Sequence, residues 1–264
     1  MIVSPLLRCV SLLLCCMASW LGGVAVISAG DVKGVRFDGD RFTVEDGGPS
    51  FRGVIFKPSG KGPFPAVLVS HGLGGNGDQF GRNKSRAFVK AGFLCIAPDY
   101  AHVRGGDRKD FGASAENIRR AKKCLDILES RPDVDAKRLY AYGNSMGAFL
   151  TIGLAAEDSK RLAAAAITAG GVAPIDGQPA PSKARTEKIG IPICILHGTD
   201  DMTVPPERSK MLEEVLKKNH VACERTTFEG VGHELSASNA AEVDELMIKW
   251  FKKYRRGGVE AKRT

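Results

Sequence analysis

RLYAYGNSMGAFLTIGLAA, residues 138–156, is the stretch that decides the fold. Leu139, Ala141 and their neighbours have the character of a buried strand, and residues 148–156 that of a helix built from small residues. Between them Gly143-Asn144-Ser145-Met146-Gly147 fits Gly-x-Ser-x-Gly. Alone, the pattern is common in glycine-rich loops; a strand before it and a helix after it make it specific. In so tight a turn the central residue takes strained backbone angles. The positions two before and two after it lie against neighbouring backbone, where any side chain larger than hydrogen clashes. Such a turn lifts the Ser145 hydroxyl clear of the sheet. It also sets the Met146 amide and the positive end of the following helix beside any oxygen that turns negative during acyl transfer. Ser145 is the candidate nucleophile.

The rest of the chain alternates strands and helices around this turn. Residues 34–45 read as a first strand and 51–57 as a second, and the apolar runs 66–70 and 93–97 suit strands buried on both faces. Further strands fall at 162–169, 191–197 and 222–228. Helices are expected at 82–91, from the Ser114 cap to about residue 130, at 206–218 and at 240–254. The polar face of the second of these, Arg119, Arg120, Lys122 and Lys123, reads as solvated surface. Residues 172–189, rich in proline, read as a long loop over one end of the sheet that shapes a pocket. The expectation is an α/β fold, a mostly parallel central sheet of about eight strands with helices on both faces. Chemistry in such sheets collects at the carboxyl ends of the strands, where every loop discussed here opens.

Residues 1–30 stand apart. Arg8 and the amino terminus supply positive charge, residues 10–27 are largely apolar, and Ser28-Ala29-Gly30 offers small residues before Asp31. This reads as a secretory signal peptide cleaved near Ala29 or Gly30, with an uncleaved membrane anchor as the second choice. Residues 31–264 then form one domain, secreted or periplasmic. Of the net charge of +8, much lies in residues 249–263, at the end of the last helix and in a basic tail taken as a solvated end. Charge placed there, without a recognition motif, argues against nucleic-acid binding. Past the leader the cysteines are Cys95, Cys124, Cys194 and Cys223. Export permits a disulfide, their pairing is open, and none of the spacings resembles a metal site. Cys95 and Cys194 read as small core residues.

A serine hydroxyl needs a base within hydrogen-bonding distance, and the base needs orienting. His233, in the loop after the last strand, is the best base. His71 and His197 end strands and read as partners of loop backbone, and His102 and His220 have no supporting context. The acid should follow the preceding strand, where Asp200 and Asp201 both stand.

His71-Gly72-Leu73-Gly74, Gly143-Asn144-Ser145-Met146-Gly147, His197 through Pro205 and Gly232-His233 together resemble the α/β-hydrolase superfamily. Its dienelactone hydrolase-like and prolyl oligopeptidase-like branch is the most similar, and the order Ser, Asp, His is the one the superfamily uses. The resemblance implies that the acid is the Asp of Asp-x-x-Val-Pro, which selects Asp201, and that the backbone amides of Leu73 and Met146 form the oxyanion hole. It implies no metal and no organic cofactor. Dienelactone hydrolase proper uses a cysteine where this chain has Ser145, so its lactone substrate is not carried over; the oligopeptidases bear a propeller for which there is no room before residue 138. The implied activity is that of a serine hydrolase acting on a small-molecule or polymer-borne ester. A peptidase, an amidase or an acyltransferase would use the same three residues. A non-catalytic envelope binder is the reading from another class, and membrane contact would come only through an uncleaved leader. Tyr100, His102 and Arg104 follow a strand and read as ordinary loop surface rather than pocket wall.

Overall fold

The computed structural model describes residues 32–103, 107–173 and 179–259; the expected leader, Arg104 and the end of the basic tail lie outside the described residues. The strands are β1 (Val35–Asp38), β2 (Arg41–Val44), β3 (Phe51–Phe56), β4 (Phe64–Ser70), β5 (Leu94–Pro98), β6 (Val134–Asn144), β7 (Ala164–Thr168), β8 (Ile193–Gly198), β9 (Cys223–Phe228), β10 (Tyr254–Arg255) and β11 (Gly258–Val259). The helices are α1 (Gln79–Lys90), α2 (Ala115–Glu129), α3 (Met146–Glu157), α4 (Lys183–Thr186), α5 (Glu207–Lys218), α6 (Leu235–Ser238) and α7 (Ala240–Lys253).

Nine strands form one sheet in the order β1-β2-β3-β5-β4-β6-β7-β8-β9. The pairs from β1 through β3 to β5 are antiparallel, and those from β5 through β4 to β9 are parallel. The expected α/β architecture is present with one strand more than anticipated. The alternating stretch 34–45 folds back on itself at Gly39-Asp40, which pairs Val35 with Val44 and makes a hairpin of the single strand expected there.

Side chains on the central strands alternate between two cores, as the two-residue period of a strand requires. Ala66 and Leu68, Leu94 and Ile96, and Leu139 and Ala141 pack with α2, α3 and α5. Val67 and Val69, Cys95 and Ala97, and Tyr140 and Tyr142 pack with α1 and α7, where Phe88, Trp250 and Phe251 fill the layer. This is why those strands read as continuous apolar runs. Cys95, Cys124 and Cys194 are buried, Cys223 is partly buried, and all four are free thiols.

Three local expectations are corrected and a fourth is extended. Lys122 stays at the surface, paired with Glu157 at 3.3 Å, but the rest of the cationic face of α2 is not solvated surface. Arg119 pairs with Asp46 and Glu116 and donates to Pro49 O, Lys123 reaches Asp46 and Lys33 O, and buried Arg120 binds Glu116 and Asp99 O. The acceptors come from the segment before β1 (Lys33), the turn between β2 and β3 (Asp46, Pro49), the residue after β5 (Asp99) and α2 itself (Glu116). The basic tail, as far as residue 259, is not a loose end: β10 and β11 form a hairpin, Tyr254 O accepts from Tyr140 Oη, and Arg256 N donates to Lys137 O. Tyr100 and His102 are fully buried, neither loop surface nor pocket wall. Residues 172–189 do more than cross the sheet end, since Val172, Ala173 and Ala180 are buried, Ala173 bridges Ser182 and α4 follows.

Candidate active site

β6 ends at Asn144, and α3 starts at Met146. The residue between them, Ser145, holds φ 53° and ψ −114°, a backbone conformation that non-glycine residues rarely adopt. The turn is tied down by Ser145 N donating to Thr168 O at 3.0 Å on β7. Its tightness explains the two glycines. A Cβ on Gly143 would stand 2.0 Å from Gly147 O, and one on Gly147 would stand 2.2 Å from Ser70 O. The serine hydroxyl makes no capping bond to the helix it precedes. It is held instead by His233, whose Nε2 lies 2.9 Å from Ser145 Oγ.

His233 sits in the loop between β9 and α6, and its Nδ1 lies 2.8 Å from Asp201 Oδ2. Asp201, in the loop after β8, is fully buried at its side chain. Its Oδ1 accepts from the amides of Thr203 at 2.9 Å and Val204 at 2.8 Å. Burial pushes this carboxyl up, but the Val204 amide, His233 and the Thr203 amide outweigh it and hold it below the usual carboxylate range. A carboxylate that stays charged fixes the tautomer of its neighbour: Nδ1 of His233 carries the proton, and Nε2 faces Ser145 as an acceptor. Ser145, His233 and Asp201, far apart in sequence, thus form one chain of hydrogen bonds. Asp200 is excluded from it; its carboxylate accepts from Thr199 Oγ1 at 3.0 Å in the turn.

Leu73 and Met146 line the same cavity of about 760 Å³ as Ser145 and His233. Among the described residues no backbone carbonyl takes either of their amides. Gly72 lets its loop approach closely, since a Cβ there would stand 3.3 Å from Ser145 Cβ. Pro179, from the loop expected to shape the pocket, also lines the cavity.

Other histidines have duties that sequence alone concealed. His197 Nε2 donates to Val204 O at 2.9 Å and to Asp201 Oδ2 at 3.1 Å, so it buttresses the acid as well as loop backbone. His71 Nδ1 donates to Gly72 O and its Nε2 accepts from Tyr100 N, while His102 Nε2 donates to His71 O and its Nδ1 accepts from Asn117 Nδ2. Asn117 in turn binds Ala101 N, Asp110 O and Gly112 O. Burial, the leading cause in both, lowers His71 to about 4 and His102 to about 3. No spacing could have revealed this cluster, because its members come from the loops after β4 and β5 and from α2. The neighbour of the loop that carries Leu73 is therefore a neutral, fully bonded scaffold.

Several known proteins are similar to this chain. Peptidase YtmA of Bacillus subtilis, itself described as uncharacterized, is 23% identical over 229 residues, 76% of this chain and 88% of the relative. Esterase FrsA of an Enterobacter species is 31% identical over 120 residues, 46% of this chain, which spans only 28% of that relative. Among solved structures, a putative dienelactone hydrolase from Klebsiella pneumoniae superposes with a TM-score of 0.66 at 21% identity, covering 79% of this chain and 95% of that one. That likeness shows a shared α/β-hydrolase fold. The dienelactone hydrolase family matches residues 51–255, from β3 to β10 and across every loop of the site, and the chain belongs to that family of hydrolases.

Proposed function

We propose that this protein is an exported serine hydrolase that cleaves carboxylic esters through an acyl-enzyme. The observation that carries the reading is the 2.9 Å approach of His233 Nε2 to Ser145 Oγ with Asp201 2.8 Å behind Nδ1. Ser145 Oγ attacks the ester carbonyl as His233 Nε2 takes its proton. The carbonyl oxygen becomes an oxyanion facing the Leu73 and Met146 amides, each such donor being worth roughly 2.7–4 kcal/mol in the transition state. Collapse breaks the bond to the alcohol oxygen, which leaves with the proton from Nε2. Water then attacks the acyl-enzyme, gives a proton to Nε2, and that proton returns to Ser145 Oγ as the acid departs. Asp201 keeps Nδ1 protonated and stabilises the imidazolium in both halves. Export rests on the leader-like residues 1–30.

The kinship with an esterase supports ester over amide cleavage, and the kinship with a protein named as a peptidase makes peptides the second reading. A fluorophosphonate probe is expected to label Ser145, and purified protein to hydrolyse a short aryl ester, both lost in Ser145→Ala. Labelling that persists in Ser145→Ala, or turnover of peptides with none of esters, overturns the proposal.

A further inference from the structure

The cavity that holds Ser145 has a wall with no part in the chemistry above. Asn83 and Lys84 of α1, Ser236 of α6 and Asp244 of α7 line it. Lys84 is 6% exposed; its Nζ donates to Asp244 Oδ1 at 2.8 Å and to Ser236 O at 3.3 Å and stands 5.6 Å from the centre of the Tyr142 ring. Burial pushes its ammonium down, but Tyr142 and Asp244 reverse the effect and keep it charged. Asp244 is 18% exposed, and among the described residues Lys84 is its sole hydrogen-bonding partner, so Oδ2 has no donor from the protein.

A partly buried pair of opposite charges is weak evidence for stability, since apolar residues of the same shape often serve as well. Its chemistry selects instead. An anion entering the wall meets Asp244 and a cation meets Lys84, so neither is favoured. An alkyl chain would strip water from Asp244 Oδ2 and offer no donor in return. A hydroxyl donates to Oδ2, and a second hydroxyl on the adjacent carbon accepts from Lys84 or from the Asn83 amide. The wall shares its cavity with His233, whose Nε2 must deliver its proton to the departing oxygen, and on that ground the leaving group is assigned to it.

We propose that Lys84, Asp244 and Asn83 form a subsite for a vicinal diol in the alcohol part of the ester, the chemistry shared by glycerol and by sugars. This rests on the esterase reading, and the experiment separates the two. With the acyl group fixed as acetyl, kcat/KM is measured for monoacetylglycerol, an acetylated methyl glucoside and propyl acetate, per site titrated by fluorophosphonate. Wild type should favour at least one diol ester over propyl acetate by on the order of tenfold, the size of a lost charge-assisted hydrogen bond. The better of the two names the source. Lys84→Met/Asp244→Leu, which removes both charges together, should bring the ratio close to one. Should that variant not fold, Asn83→Leu on exposed α1 surface should lower the ratio in the same direction. Independently of turnover, saturation-transfer NMR should show glycerol or methyl glucoside binding to Ser145→Ala and not to the same protein with the double substitution. A wild-type ratio near one, a ratio unchanged in the variants, or a preference only for hydroxyls on the acyl side overturns the subsite. Absence of fluorophosphonate labelling overturns the esterase reading, and the NMR result then decides the subsite alone.

Discussion

Four donors converge on the Asp201 carboxylate: the Thr203 and Val204 amides, His197 Nε2 and His233 Nδ1. Asparagine at this position can keep the two amides on its oxygen, but its NH2 then faces His233. The ring answers by making Nδ1 the acceptor and placing N–H at Nε2, against Ser145 Oγ, where it can no longer take a proton. Asp201→Asn should therefore fold and still lose about 10⁴-fold in kcat. Pre-steady-state acylation by an aryl ester measures this, and a loss below tenfold would show that Asp201 does not set the tautomer. Local sequence could not separate Asp201 from Asp200, because both follow β8. The family pattern separated them, and the structure supplies the reason: the Thr203 and Val204 amides and His233 all bond Asp201, while Asp200 accepts from Thr199 Oγ1 in the turn. His197 was legible as a partner of backbone, but not as a second donor to the acid.

At the scale of elements, the strand-turn-helix around Ser145 was readable because each of its parts obeys a local rule. Apolar β6 is buried on both faces, α3 is made of small residues because it runs against the sheet, and glycines stand where backbone passes within contact. Elements whose form depends on remote partners were not readable. Gly39-Asp40 interrupts an alternating stretch without breaking its period, so the hairpin of β1 and β2 looked like one strand. The charges of α2 showed which face is polar and said nothing about Asp46 and Asp99 lying against it. The same logic ranks glycine substitutions. A Cβ at Gly147 would meet Ser70 O at 2.2 Å, at the end of β4, and His71 O at 2.7 Å, the first residue of the Leu73 loop. A Cβ at Gly232, beside His233, would meet nothing closer than Asp200 O at 3.8 Å. Gly147→Ala should cost about 1–3 kcal/mol or more in urea unfolding and abolish fluorophosphonate labelling. Gly232→Ala should leave both within about 0.5 kcal/mol and a fewfold of wild type. Equal effects of the two would contradict the packing of the turn.

Across the whole molecule, buried histidines make the fold sensitive to acid in a window of its own. His71 Nε2 faces Tyr100 N–H and His102 Nδ1 faces the Asn117 NH2, whose orientation is fixed by its bonds to Ala101 N, Asp110 O and Gly112 O. Protonating either ring would oppose donor to donor inside the core that links β4 and α2. Their folded values, about 4 and about 3, lie below the ordinary 6.5 of the unfolded chain. Burial lowers His197 in the same direction. Above pH 6.5 both states are neutral and the stability is complete. Below it the unfolded chain binds protons that the native protein refuses, so stability drains as pH falls towards the folded values, at about 1.4 kcal/mol per pH unit for each histidine. The carboxylates held low, Asp201, Asp133 and Glu116 among them, lose their contribution as pH falls from the ordinary carboxylate range down through their own depressed values, below this range. Between pH 6 and 5 the decline should therefore be the histidines' own. Urea unfolding at closely spaced pH should give a slope of roughly 2–3 kcal/mol per pH unit there from His71 and His102, with His197 steepening it in the same direction. His102→Gln should make that slope shallower by about one histidine's share, and a stability flat from pH 6.5 to 5 would mean that these rings accept protons in the folded protein.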